Sequence, residues 1–444
     1  MKTFLDWSAY DTYGIGDAYS GIPATGGNYA KAVAVCMHSR DCRKTGKGVM
    51  CPSFRITGDP AHSTEARVAA FKAALNAGEG SFTDPALAAA MDLCVSCKAC
   101  KKECPSAVDM TLIKTEYLAQ RLAVSGVPLR TRLFGGAPLW LHRWPRLLRA
   151  AIRLRNSVAP FAAVVEKTLG IAARRSLPEP AAAPFAERAA TSGSRGDVVL
   201  FVDTFARHFD PDIADAAAMV LERAGYGVRI ARPAADDAEP DRPLCCGRTF
   251  LTNGLVEEAR REGRRVLAAF ETELAEKTPI IGLEPSCLLS LRDELYALGL
   301  GPQAGELGKQ LFLFEEFIAR EMRVNGLTLD LKPVAGAKAL VHGHCHQKAF
   351  GTMKALRQTL AAVPGLAFDI VETSCCGLAG SFGLEAEHYE ASMQMAELSL
   401  LPAMRAAPGD APLIANGFSC RHQIDHSAVR KPRHIAQLLR DALA

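Results

Sequence analysis

The sequence predicts an α + α/β chain: a helical, cysteine-bearing N-terminal domain followed by a duplicated α/β domain. Three observations carry that reading. The 14 cysteines fall into two groups of seven, Cys36 to Cys104 and Cys245 to Cys420, with none from 105 to 244. Around the first group the apolar pattern is helical. From residue 197 onward short apolar runs alternate with longer helical stretches, the signature of a largely parallel sheet. The composition excludes other classes. A chain of 444 residues, 49% hydrophobic and 23% charged, is neither disordered nor collagenous. Its cysteines are too sparse for a disulfide-built secreted domain, and the N-terminus lacks the apolar core of a signal peptide. No run of 18 apolar residues occurs, so a cytoplasmic protein is expected and the thiols need a purpose other than cross-linking.

In the first group, residues 63–77 and 84–93 read as helices, with Ser63 and Asp84 as start signals and Gly78 as a stop, and 110–124 reads as a third. They flank Cys94-Val-Ser-Cys97-Lys-Ala-Cys100-Lys-Lys-Glu-Cys104-Pro105, the C-x2-C-x2-C-x3-C-P run of a ferredoxin-type cluster site. Three closely spaced thiolates hold three corners of one cubane, and the cysteine before proline ligates a neighbouring cluster. The partner run is Cys36-x5-Cys42-x8-Cys51-Pro52, with the same ending but only three cysteines. By the crossing rule Cys51, Cys94, Cys97 and Cys100 complete one [4Fe-4S] cluster. Cys36, Cys42 and Cys104 leave the other one thiolate short. That second site is a [3Fe-4S] cluster, a [4Fe-4S] cluster with a non-cysteine ligand, or empty. His38 lies within its loop, better placed as a hydrogen-bonding neighbour than as a ligand. A zinc ribbon is the competing reading of the whole group, and the spacing opposes it.

Between the groups, residues 117–175 carry eleven Lys/Arg against the single acid Glu166, so a chain of net charge +4 conceals a strongly basic connector. From Pro145 onward Leu147, Leu148, Ala151 and Ile152 share a helical face opposite Arg146, Arg149 and Arg153, just after Trp140 and Trp144. This stretch suits either an anionic membrane surface or packing on a partner or on the acidic remainder of the chain. No nucleic-acid motif accompanies the charge. The Pro/Ala/Ser-rich residues 177–195 mark a boundary.

In the α/β part the clearest strands are 198–202, 279–282, 339–341 and 412–415, each ending at a residue of interest, as at the carboxyl ends of parallel strands. The order of features repeats once. Asp203-Thr204-Phe205, Cys245-Cys246-Gly247 and Glu284-Pro-Ser-Cys287 recur as His344-Cys345-His346, Cys375-Cys376-Gly377 and Gly417-Phe-Ser-Cys420, at offsets of 141, 130 and 133 residues. Adjacent thiolates can grip neighbouring irons, with Gly permitting the turn. The second half supplies four thiols, Cys345, Cys375, Cys376 and Cys420, enough for a cluster. In the first half Thr204 replaces Cys345, leaving Cys245, Cys246 and Cys287. A zinc site drawing on His342, His344, His346 or His422 is the alternative. The expected organisation is an extension over 1–30, a helical ferredoxin-type 4Fe-4S domain over 31–125, a basic connector and linker over 126–195, and Cys-Cys-Gly halves over 196–330 and 331–444.

The motifs Met50-Cys-Pro-Ser-Phe-Arg55, Leu93 to Pro105, Leu283-Glu-Pro-Ser-Cys287, His342-Gly-His-Cys-His-Gln347, Cys375 to Gly383 and Gly417-Phe-Ser-Cys-Arg421 together resemble the iron-sulfur subunits of FAD-linked 2-hydroxyacid dehydrogenases. Glycolate oxidase and anaerobic glycerol-3-phosphate dehydrogenase iron-sulfur subunits are of this type, and the pattern is nearest the C-terminal half of fused D-2-hydroxyglutarate or D-lactate dehydrogenase-type proteins. The CCG domain also resembles the catalytic subunit of heterodisulfide reductase, although positions near Ser290 and Gln423 lack the last thiol of that pattern. The resemblance implies an electron-transfer subunit of an oxidoreductase complex, with one or two 4Fe-4S clusters and a further cluster at the CCG site. FAD would reside on a separate oxidase partner, since only 35 residues precede Cys36 and no dinucleotide fingerprint opens a βα unit. A quinone or a membrane-surface acceptor at the inner face would take the electrons. The alternatives are a heterodisulfide-reductase-like enzyme acting at the second CCG site and a zinc-stabilised interaction protein.

Overall fold

The computed structural model describes residues 2–13, 21–78, 81–334, 336, 338–427 and 430–444. In the N-terminal part the helix signals act where the sequence puts them. The helix Thr64–Ala77 begins at Ser63, whose hydroxyl accepts from Ala66 N–H, Pro85–Asp92 begins at Asp84, and Met110–Ser125 begins at Asp109. Their inner faces meet Gly27–Ala34 around buried Tyr29, Phe71 and Tyr117, with Phe71 and Tyr117 packed edge-on at 5.7 Å. The buried Glu116 carboxylate accepts from Phe4 N–H, Leu5 N–H and the Trp7 indole, tying the N-terminal residues to the last of these helices.

The basic stretch forms four helices, Leu129–Gly135, Ala137–Arg143, Pro145–Ser157 and Ala159–Leu169. The face expected to be apolar is only partly turned inward. Leu148 and Ile152 are half-buried, but Leu147 and Leu154 are exposed, and Arg155 is buried in their place. The reason is the chain that follows. Arg155 donates to the carbonyls of Ala172 and Arg175, and Arg149 donates to Pro180 O and pairs with Glu179 at 2.9 Å. Two guanidinium groups thus bond carbonyls of the turn at 172–175 and of the segment after it, which apolar side chains could not do. Among the described residues no helix is long and apolar enough to cross a membrane.

The α/β part contains two parallel sheets. The first comprises β1 (Asp197–Phe201), β2 (Gly227–Ile230), β3 (Ile280–Gly282) and β4 (Leu311–Leu313) in the order β2-β1-β3-β4, with Val199 beside Ile280 and Asp197 beside Gly227. The second comprises β5 (Ala339–His342), β6 (Phe368–Ile370) and β7 (Leu413–Ala415) in the order β6-β5-β7. The strands expected at 198–202, 279–282, 339–341 and 412–415 are β1, β3, β5 and β7, whose residues are mostly buried. Those not foreseen, β2, β4 and β6, lie at sheet edges and, unlike the edge strand β7, include half-exposed or polar residues such as Arg229, Phe312 and Asp369, which weaken the apolar signal.

The two sheets share one core that includes Leu200, Ile281, Val341 and Ile414. Across the junction Phe205 stacks on Phe418 at 4.7 Å, Glu284 accepts from Phe418 N–H at 2.7 Å, and Arg421 pairs with Asp210 at 2.8 Å. The N-terminal domain is docked on the second half through His388. Its ring bonds Asp92 at 2.9 Å and Glu385 at 2.8 Å. Burial works against the imidazolium, but the two carboxylates prevail and raise the group to about 9. A histidine raised in the folded state stabilises fully below its ordinary value near 6.5 and loses that contribution as pH rises through about 9. His388→Ala is expected to cost about 1–3 kcal/mol at pH 7. In anaerobic denaturant titrations the gap between wild type and variant should close between pH 7 and pH 10.

Candidate metal centres

Cys51, Cys94, Cys97 and Cys100 line one pocket, together with Arg67, Lys98 and Ser53. The loop 94–98 carries Cys94 and Cys97 and leads into the short helix Ala99–Glu103, which carries Cys100, and Cys51 is the residue from which Pro52–Thr57 starts. All four sulfurs belong to buried residues. Arg67, itself buried, donates to Cys51 Sγ at 3.4 Å, to Ser53 Oγ at 2.8 Å and to Ala90 O at 2.8 Å, while Thr64 Oγ1 lies 3.0 Å from Cys100 Sγ. Burial tends to raise the Cys51 thiol, but Arg67 overcomes it and holds Cys51 below its ordinary range. Burial, and then the neighbouring thiols, push Cys97 and Cys100 well up. Buried thiols packed this closely ionise together only around a cation. An all-thiol donor set with one guanidinium hydrogen bond therefore fits a [4Fe-4S] core.

Cys36, Cys42 and Cys104 form a second group close to Cys51. Cys36 interacts electrostatically with Cys104 and Cys42, and Cys42 with Cys51. Burial comes first among the causes that raise Cys36 and Cys42. His38 is not turned to these sulfurs in hydrogen-bonding use, since its Nδ1 pairs with Glu65 at 3.1 Å. Glu65 also pairs with Arg43 at 2.8 Å.

In the second α/β half, Cys345 opens the helix Cys345–Ala349 after β5, Cys375 and Cys376 follow β6, and Cys420 lies in Phe418–His426 after β7. Hydrogen bonds link Cys345 to Cys375, Cys375 to Cys376 and Cys376 to Cys420. The bond from Cys375 pulls Cys345 down to about 6, and the same kind of bond from Cys375 and Cys420 holds Cys376 well down. Lys348, whose Nζ bonds Thr373 O at 2.7 Å, adds a nearby cation. The donor set again fits a metal held by thiolates. Of the candidate histidines, His344 Nδ1 caps the helix by accepting from His346 N–H, His346 Nε2 lies 3.2 Å from Ser96 O, and His422 Nε2 lies 2.9 Å from Ser176 O. His342 Nε2 is buried without a hydrogen-bond partner.

The first half gathers Cys245, Cys246 and Cys287, all buried, with Cys246 bonded to both others. Thr204, at the place of Cys345, bonds Cys245. Asp203 caps the helix Thr204–His208, and burial, then Glu284, push its carboxyl up to about 7. The two halves use one turn. Gly247 N–H donates to Cys245 Sγ at 3.4 Å with φ 76°, and Gly377 N–H donates to Cys375 Sγ at 3.4 Å with φ 86°.

The halves differ in what they face. His346 bonds Ser96 O in the 94–100 loop, Ser374 Oγ donates to Val49 O, and Cys97 interacts electrostatically with Cys345. One cleft is lined by Cys94 of the first set and by Cys345, Cys375 and Cys376 of the second, together with Phe134, Phe382, Arg130 and Arg248. Lys98, Arg67 and Lys348 had no single-sequence signal, because the groups they bond are brought to them only by folding.

Residues 35–109 match the 4Fe-4S dicluster domain, and residues 207–292 and 339–425 each match the cysteine-rich domain. An anaerobic glycerol-3-phosphate dehydrogenase subunit from Escherichia coli is 25% identical over 299 residues, 66% of this chain and 72% of that protein. D-2-hydroxyglutarate dehydrogenase of the same organism is 27% identical over 387 residues, 82% of this chain but 35% of the longer relative. Lactate utilization protein A of Bacillus velezensis is 28% identical over 201 residues, 42% of this chain and 75% of that protein.

The turn geometry ranks two substitutions. A Cβ on Gly377 would lie 2.2 Å from Ser392 O, and one on Gly247 would lie 3.1 Å from Ala259 O. With a left-handed backbone at both, Gly377→Ala is expected to cost about 2–5 kcal/mol and Gly247→Ala about 1–3 kcal/mol. Urea unfolding of the anaerobic protein measures both.

Proposed function

Because the chain belongs to the proteins that join a 4Fe-4S dicluster domain to a pair of cysteine-rich domains, we propose that it is the electron-transfer subunit of a dehydrogenase complex. It receives electrons from a separate FAD-linked 2-hydroxyacid oxidase and delivers them to a quinone or other respiratory acceptor. The observation that carries the reading is the contact between the two candidate centres: His346 bonds Ser96 O, and Cys97 lies within electrostatic reach of Cys345. Iron-sulfur clusters supply reversible one-electron chemistry when bound.

The protein's part is to fix positions and tune potentials. Cys51, Cys94, Cys97 and Cys100 hold the first cluster, and Cys345, Cys375, Cys376 and Cys420 hold the group that follows it. Arg67 donates to Cys51 Sγ, and such a bond to a cluster sulfur favours the reduced, more negative state. The cleft between the two sets admits an acceptor to the second one. One relative is itself a dehydrogenase subunit, which supports a partner, and the exposed Trp144, Leu147 and Leu154 among arginines support contact with a membrane surface.

The cleft also favours a second reading, reduction of a disulfide substrate at the second-half thiols. Anaerobically purified protein is expected to contain iron and sulfide, and zinc-loaded, iron-free protein would sink both redox readings. In the assembled complex Cys94→Ser should leave flavin reduction by substrate intact and lower flow to the acceptor by at least about 100-fold, roughly 3 kcal/mol of barrier. If the isolated subunit reduced a disulfide with an artificial donor and Cys376→Ser stopped it, the second reading would replace the first. Arg67→Leu should lower the midpoint potential of the first cluster in a redox titration followed by EPR.

A further inference from the structure

The two cysteine runs share a backbone conformation that a count of thiols does not reveal. In the 94–100 loop Ser96 and Lys98 take left-handed φ values of 49° and 63°, and the helix Ala99–Glu103 starts from Lys98. In the 36–42 loop His38 and Arg40 take φ values of 56° and 61°, and the 3-10 helix Asp41–Arg43 starts from Arg40. Residues other than glycine seldom adopt this region, and here four do so at matching positions, the second and fourth after the leading cysteine. Cys36 therefore corresponds to Cys94, Cys42 to Cys100, and Ser39 to Cys97.

We propose that Ser39 stands at the fourth corner of the second cluster, so that the thiolates of Cys36, Cys42 and Cys104 hold it and one exchangeable iron faces solvent at Ser39. This rests on the reading above that the two runs bind clusters. Ser39 is exposed, whereas Cys97, its counterpart, is buried. The Ser39 hydroxyl accepts a long hydrogen bond, 3.4 Å, from Asp41 N–H and bonds the Asp41 carboxylate, both within its own exposed loop. An alcohol is a much weaker acid than a thiol, so it is a poor anionic ligand at neutral pH. Water and one-electron oxidants reach the same corner. The balanced change is [4Fe-4S]2+ → [3Fe-4S]+ + Fe2+ + e−, with the electron passing to an added oxidant such as ferricyanide and the iron leaving as the ferrous aquo ion. The ligand of this site is ferrous iron itself.

The test is EPR and iron analysis of the full-length, anaerobically purified protein, before and after ferricyanide and desalting. Wild type should show the signal of an oxidised three-iron cluster, lose about one iron per chain, and regain it on incubation with ferrous ion and dithiothreitol. Ser39→Ala should behave like wild type. Ser39→Cys, a change at an exposed position that leaves the core untouched, should abolish the three-iron signal and retain the iron. Protein with clusters but no three-iron signal in wild type, or an unchanged signal in Ser39→Cys, would overturn this inference alone. Protein without iron and sulfide would overturn the cluster reading as well.

Discussion

A buried ammonium must be surrounded by charge of the opposite sign, and the arrangement of the whole molecule depends on how Lys98 meets that demand. Lys98 lies between Cys97 and Cys100, with its side chain buried, and it bonds Asp109 at 3.2 Å, Asp293 at 2.7 Å and Glu294 at 3.4 Å. Asp109 belongs to the N-terminal domain, whereas Asp293 and Glu294 end the Cys287 helix of the first α/β half. Glu294 also pairs with Arg248, which lies 3.3 Å from His346 Nε2 of the second half. One buried cation in a ligand loop thus fixes three parts of the chain against each other. Lys101 pairs with Asp109 and Asp293, so with Arg248 three cations face three carboxylates, and removing any carboxylate would leave positive charge uncompensated in a medium that tolerates it poorly.

That junction gives the duplicated halves different work. They share a turn, a sheet order around a central strand, and thiols at the carboxyl ends of strands. Only the second half presents its thiols toward the Cys94–Cys100 loop, and it is also the half with four of them. In the first half Thr204 and Asp203 stand where Cys345 and His344 stand in the second, and the Glu284 carboxylate spans the junction to hold Phe418 N–H. The first half reads as the frame on which the second is mounted. The same asymmetry recurs in the N-terminal domain, where one loop carries Cys97 and its counterpart carries Ser39.

Much of this was legible from residue spacing. The cluster motif, the start signals at Ser63 and Asp84, the duplication and the buried strands are local features, set by side chains within a few residues of each other. The edge strands β2, β4 and β6 were not legible because three or four residues, some of them half-exposed, make no pattern until a neighbouring strand pairs with them. Nor was the orientation of the basic connector. Its helical period put Leu147 on one apolar face with Leu148, Ala151 and Ile152 and gave no place to Arg155, but the carbonyls of Ala172 and Arg175 needed donors, and Arg155 supplies them.

The sequence by itself determined the kind of chemistry, because thiol number and spacing constrain which metal group can be held. It also determined that there are two cysteine-rich halves of unequal thiol content. The tertiary structure decided which sulfurs meet, which half faces the ferredoxin-type loop, and which residues compensate the charge: Arg67 at Cys51, Lys348 beside the second-half thiols, and three carboxylates around Lys98. The physical reason is range. Ligand spacing is a short-range property of the chain, whereas the neutralisation of buried charge is settled by groups that approach one another only after folding, such as Lys98 and Asp293, 195 residues apart.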